Sequence, residues 1–254
     1  RIMKDDTVGT TWTQELVWLI ANNFDYETAL AKKDKLLKML EVMAQPVTEK
    51  LAAMPSPRFV KTHLPMSFLP PNIVDTAKMI YIARDARDIA VSSYHHAKLF
   101  RVLDFAGDFK DFWELFMKFM IDFVLDIQTP YFEHVKEAWN MRHHPNMLFL
   151  FYEELAKDLP AVIRRVANFL GKEVTDEQMI RLCDHLSFEN FKKNKSVNYE
   201  DLREFDVVTP NETFIRKGKT NGWRDYFDEE MTQQAERWIE DNLRDTDLRF
   251  PNLD

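Results

Sequence analysis

Lys78-Met79-Ile80-Tyr81-Ile82-Ala83-Arg84 runs directly into Asp85-Ala86-Arg87-Asp88-Ile89-Ala90-Val91-Ser92. The first run is short, apolar and rich in β-branched and aromatic side chains, which predicts a buried strand over 78–84. The second predicts a helix over 86–100. Two more apolar runs, 58–63 and 147–152, read as strands, each followed by a helical pattern. Helices are expected over 10–22, with Leu16, Leu19 and Ile20 on one face, and over 26–54 with an interruption at Pro46. Further helices are expected over 109–127, 131–143, 160–170, 176–186 and 228–243, with Gly171 as a C-terminal stop. Strand–helix alternation implies an α/β fold: a mainly parallel central sheet flanked by helices. No linker-like boundary interrupts 1–254, so a single domain is expected.

In such folds ligands bind beyond the carboxyl ends of the strands. That rule brings His63, Arg84 and the neighbourhood of Tyr152 to one edge. The net charge of -8 would repel an anionic ligand, so an anion site must be assembled locally from Arg, Lys and backbone N–H groups. The same acidity argues against nonspecific nucleic-acid binding. The most apolar run, 112–125, is broken by Glu114, Lys118 and Asp122 and is too short to span a bilayer. One cysteine, Cys183, excludes an intrachain disulfide and fits a reducing compartment; with no signal-peptide pattern at the start, a cytoplasmic protein is expected.

Four segments carry polar chemistry. Gly9-Thr10-Thr11-Trp12 opens a helix, where free N–H groups attract anions; a helix N-cap with a buried Trp is the plainer reading. Lys61-Thr62-His63-Leu64-Pro65 puts an imidazole at a strand end, suited to general-base work or to a structural role. Arg84 and Ser92 are placed to clamp one phosphate, with Arg87 and Asp88 read as a charged turn in solvent. Arg216-Lys217-Gly218 sets two cations beside a glycine whose N–H can approach a doubly charged oxyanion. The histidines His95 and His96 read as surface residues, and no His pair has metal-ligand spacing. Phe109, Phe112, Phe116, Phe119 and Phe123 form a helical stripe that reads as core, or as the wall of an apolar pocket.

Taken in order, Gly9-Thr10-Thr11-Trp12, Lys61-Thr62-His63-Leu64-Pro65, Arg84 through Ser92, Phe151-Tyr152-Glu153-Glu154, Ser187-Phe188 and Arg216-Lys217-Gly218 through Gly222-Trp223 resemble the cytosolic sulfotransferase family over nearly the whole chain. The resemblance implies a fold similar to the P-loop nucleotide kinases. The donor would be 3′-phosphoadenosine 5′-phosphosulfate (PAPS), leaving 3′,5′-adenosine bisphosphate (PAP). It also implies roles. Gly9, Thr10 and Thr11 would hold the phosphosulfate end, and Trp12 would stack on adenine with Tyr152, Ser187 and Phe188 around it. Arg84 and Ser92 would bind the 3′-phosphate, and Arg216, Lys217 and Gly218 would close over it. His63 would take the acceptor's proton while Lys61 steadies the sulfuryl oxygens. The acceptor would be a small, largely apolar hydroxyl compound: a phenol, alcohol, steroid or retinoid. No metal, nucleic acid or membrane is implied.

Two departures stand out. The family places a strand and Pro-Lys-x between Asp-Asp and Gly-Thr-Thr-Trp, whereas only Thr7 and Val8 separate Asp6 from Gly9 here. The lysine that steadies the leaving group is absent from this stretch, either because a loop is left out and the numbering runs across it, as the cost of losing a central parallel strand suggests, or because the chain is truly truncated. A real truncation predicts weak catalysis or none, and keeps open a non-catalytic nucleotide-binding homologue. A nucleotide kinase using ATP and Mg²⁺ would need a P-loop Gly-Lys-Ser/Thr, which the chain lacks. Asp225-Tyr226-Phe227-Asp228-Glu229 has no Thr-Val of the kind found in the family's dimer segment, which leaves a homodimer open.

Overall fold

A computed structural model describes residues 9–31, 53–54, 56–119, 130–198, 200–216, 218 and 220–251. Expectations for the segment around Asp6, the helix beyond residue 31, Phe123 and Lys217 fall outside them. Within them α1 (Thr10–Ala21) and α2 (Tyr26–Leu30) come first. A 3₁₀ turn (Met66–Phe68) and α3 (Ile73–Thr76) then lead into β1 (Met79–Ala83) and α4 (Ala86–Leu99). α5 (Phe109–Phe119) and α6 (Tyr131–Asn140) precede β2 (Met147–Phe151), which passes directly into α7 (Tyr152–Lys157) and α8 (Leu159–Leu170). α9 (Asp176–His185), α10 (Phe188–Lys193), α11 (Glu200–Glu204) and α12 (Glu229–Leu243) complete the series. No helix among the described residues is long and apolar enough to cross a membrane.

β1 and β2 pair in parallel, with Met79 opposite Met147 and Ala83 opposite Phe151. All five β1 residues are buried, which is why they read as a continuous apolar run rather than an alternating one. The crossover between the strands carries α4, α5 and α6, so the fold is α/β, rich in helix, around a parallel pair.

The run 58–63 is not a strand. It is irregular backbone between Pro57 and Pro65, and Phe59 and Val60 are only half buried. A strand is held by its neighbours, and these apolar residues do not enter the sheet's interior as those of β1 do.

The helices follow the expected pattern. Leu16, Leu19 and Ile20 of α1 are buried. Gly171 caps α8 with φ 67, a left-handed position that suits glycine. Thr175 starts α9 with a reciprocal capping box to Gln178. The aromatic stripe of α5 is core: Phe109, Phe112 and Phe116 are buried with Trp113. They meet Tyr94 of α4, Phe227 and Trp238 of α12. Cys183 is half-buried, and burial pushes its thiol pKa up, as suits an unreactive side chain.

Candidate functional site

Beyond the carboxyl ends of β1 and β2 the chain forms a cleft. Its wall takes Gly9, Thr11 and Trp12 from the start of α1, Arg84 from the end of β1, and Ser92 from α4. Tyr152 follows from the end of β2, Phe188 from α10, and Arg216 with Gly218 from the segment before α12. Nine of the predicted residues, drawn from six separate stretches, thus share one wall. Thr10 is buried behind it, and Ser187 caps α10 by accepting from Asn190 N–H. Neither of these two lies on the wall.

Arg84 is the strand-end cation of the site. Its guanidinium lies 4.1 Å from the ring centroid of Tyr152 and 3.5 Å from Asp88. The Tyr131 hydroxyl accepts from Arg84 N–H at 3.2 Å and donates to Arg84 C=O at 2.5 Å, which fixes the backbone at the strand end. Arg84 and Ser92 both face the cleft, two turns of backbone apart, as the strand-to-helix reading requires.

Asp88 is not a solvated turn residue. It is 2 % exposed and accepts the backbone N–H groups of Asn221 and Trp223, each at 2.9 Å. Burial raises its carboxyl pKa, while Arg84 and the Trp223 N–H pull it back. Through these bonds α4 holds the segment that follows Arg216 and Gly218. Arg87 is likewise engaged: it pairs with Asp85 at 2.6 Å and stacks 4.0 Å over Trp223.

Two glycines on the wall have no room for a side chain. Gly9 sits at φ 90, and a Cβ there would overlap the Tyr152 ring. Gly218 sits at φ 61, and a Cβ would overlap Phe188. Both are left-handed conformations, and both set bare backbone against an aromatic face. Trp12 donates its indole N–H to Leu186 C=O at 2.9 Å and meets Tyr152 at 5.8 Å between centroids. The aromatic pair is thereby held at the mouth of α1.

Lys61 and His63 are not part of this wall. Both lie on the irregular 58–63 run, not at the end of a ladder strand. His63 is tied to the sheet through its backbone: His134 Nε2 donates to His63 C=O at 3.3 Å, and His134 Nδ1 accepts from the Tyr81 hydroxyl at 3.0 Å. His134 is buried, so this tautomer is set by its two partners.

Sequence reasoning missed His95. It is not a surface residue: it lines the cleft and bonds Glu212 and Tyr226. Its position three residues after Ser92, on the same helix face, was the available signal.

A strand-end cation, a helix N-terminus and aromatic walls packed on glycine, at one edge of a parallel strand pair, form an anion-binding cleft of the α/β nucleotide-binding class. The sulfotransferase domain family matches residues 8–247. Luciferin sulfotransferase of Photinus pyralis is 34% identical over 261 residues, covering 92% of this chain and 69% of the relative. Sulfotransferase 1B1 of Mus musculus is 33% identical over 250 residues, covering 95% and 81%. Among solved structures, retinol dehydratase in complex with androsterone and inactive cofactor PAP superposes with a TM-score of 0.89 at 50% identity, covering 99% of this chain and 82% of that one. Retinol dehydratase with retinol and PAP gives 0.90 at 50% identity, covering 98% and 82%. The chain belongs to the sulfotransferase family.

Proposed function

We propose that this protein moves the sulfuryl group of PAPS to the hydroxyl of a small, largely apolar acceptor of steroid or retinoid type. The observation that carries this reading is the single cleft wall built by Trp12, Arg84, Ser92, Arg216 and Gly218. It has the support of relatives whose structures hold PAP beside androsterone or retinol. The match over residues 8–247 supports one sulfotransferase domain, and the lone part-buried thiol supports a cytoplasmic setting.

The residues fit an adenosine 3′-phosphate. Arg84 supplies donors at the end of β1 and Ser92 one from α4, and Arg216 lines the same cleft. Gly9 and Gly218 let the Tyr152 and Phe188 rings pack directly against backbone, since a Cβ at either would overlap the ring. Trp12 and Tyr152 offer faces for the base. When bound, PAPS supplies the sulfuryl group and a stable bisphosphate leaving group. Thr10 and Thr11, at the positive end of α1, would hold the phosphosulfate end. His63 would take the acceptor's proton, its backbone steadied by His134 and Tyr81. Lys61 would stand beside the transferred oxygens. Positioning and preorganised charge then supply most of the barrier reduction, by analogy with phosphoryl transfer.

A second outcome is favoured by the 50% identity to retinol dehydratase. For an allylic alcohol the new sulfate ester is itself a leaving group, so transfer would be followed by net loss of water. Incubation with labelled PAPS and a panel of phenols, steroids and retinol tests both. Labelled ester supports transfer, and a dehydrated, more conjugated product from retinol supports elimination. PAP binding without turnover of any acceptor would favour the non-catalytic homologue.

A further inference from the structure

Arg216 does not stand alone at the cleft. Its Nη1 donates to the Tyr226 hydroxyl at 3.1 Å. That hydroxyl lies 2.7 Å from His95 Nε2, and His95 Nδ1 lies 3.0 Å from Glu212 Oε2. A carboxylate only accepts, so Nδ1 carries a hydrogen and donates to Glu212. In the neutral imidazole Nε2 is the acceptor, the Tyr226 O–H donates to it, and the tyrosine oxygen accepts from the guanidinium. Burial and the adjacent Arg216 hold the His95 pKa below the usual histidine value, aided by Lys98 and opposed by Glu212. Glu212 is itself anchored, its carbonyl accepting from Arg203.

We propose that Glu212, His95 and Tyr226 form a positioning relay that sets the Arg216 guanidinium for the 3′-phosphate of the nucleotide. The relay ties Glu212, Arg216 and Tyr226 to helix α4. His95 lies three residues beyond Ser92 on that helix, so one helix face supplies both a phosphate donor and the anchor of the opposing clamp. Each bond in the chain is polarised by its neighbours, and a charged group stands at either end. An arginine on a long flexible stem gains most from such an anchor, because the rotamer entropy of clamping is lost before the ligand arrives. The inference rests on the reading that Arg216 meets the 3′-phosphate, and it adds residues that do not touch the ligand.

The test is calorimetry of the full chain with PAP and with 5′-AMP, which lacks the 3′-phosphate. Arg216→Ala should lower PAP affinity strongly and AMP affinity little. Tyr226→Phe, which removes one oxygen and keeps the ring, should weaken PAP about fivefold to tenfold and leave AMP within about twofold. Adding Tyr226→Phe to Arg216→Ala should then cost nothing more. Glu212→Gln, on an irregular segment, should show a smaller loss of the same kind, and it serves as the second variant should Tyr226→Phe fail to fold. If Arg216→Ala reduces the preference for PAP but neither Tyr226→Phe nor Glu212→Gln does, the relay is wrong and the clamp stands. If Arg216→Ala leaves the preference unchanged, the clamp is wrong and the relay falls with it. Equal loss of PAP and AMP in Tyr226→Phe would make the residue merely structural and overturn the proposal.

Discussion

The guanidinium of Arg84 stacks 4.1 Å over the ring of Tyr152. One residue follows β1 and the other follows β2, so the contact joins the carboxyl ends of the two paired strands at the floor of the cleft. It combines a fixed charge with a flat aromatic face, and Asp88 at 3.5 Å holds the second side of the guanidinium. Replacing Arg84 with Gln should therefore lower PAP affinity by about tenfold to a hundredfold, the range expected for lost charge-assisted hydrogen bonds. Arg84→Lys should rescue only partly, because an ammonium neither stacks nor forks. Titration calorimetry decides it; full rescue by Lys would show that charge alone matters.

His63 is assigned to the acceptor's proton. His63→Ala should reduce sulfuryl transfer by about 10²–10⁴-fold while PAP affinity stays within about twofold. Turnover measured beside nucleotide binding separates the two effects. Parallel loss of both would mean that the residue supports the cleft rather than the chemistry.

Asp88 ties α4 to the backbone of Asn221 and Trp223. Asp88→Ala leaves the part-buried Asn221 and buried Trp223 N–H groups without their acceptor and removes the carboxylate beside Arg84. A loss of about 3–5 kcal/mol is expected, seen as a fall in Tm of roughly 2–4 °C per kcal/mol. PAP affinity should fall as well, since the segment bearing Arg216 loosens. A variant with unchanged Tm would remove Asp88 from this role.

Glu153 is a buried carboxyl whose Oε1 accepts from Asp85 N–H at 2.8 Å. Burial pushes its pKa up to about 7, with Asp85 N–H and Arg84 pulling down. The folded protein therefore binds a proton that the unfolded chain releases near pH 4.3. Between that value and about 7 the native state holds more protons, so this group's contribution to stability is full at the acid end and declines as pH rises. Glu153→Gln should flatten that slope and raise Tm relative to the parent above pH 7. Thermal melts across pH 5–8 would check this; an unchanged slope would contradict the shift.

Much of this was legible in the chain. β1 and β2 announced themselves because β1 is wholly buried and β2 is buried at all but Leu148, so both carry unbroken apolar runs. Arg84 and Ser92 followed from placing a helix after a strand. Gly9 and Gly218 were marked by glycine's scarcity and by flanking polar groups. What escaped depends on contacts between distant segments. Asp88 looked solvent-facing because its partners are backbone N–H groups 133 and 135 residues away, which leave no trace in side-chain pattern. His95 looked exposed because helix periodicity does not show that Glu212 and Tyr226 come to meet it on α4. The run 58–63 had strand-like composition, yet only partial burial, and composition alone cannot report the neighbour a strand requires.

Arg84 and Arg216, brought to one wall from far apart in the chain, are proposed to grip the ribose 3′-phosphate together. A crystal structure of the protein with PAP tests it most directly. Both guanidinium groups should lie about 2.7–3.0 Å from 3′-phosphate oxygens, with the base against Trp12. A nucleotide bound with its 3′-phosphate away from either arginine, or outside this cleft, would contradict the account.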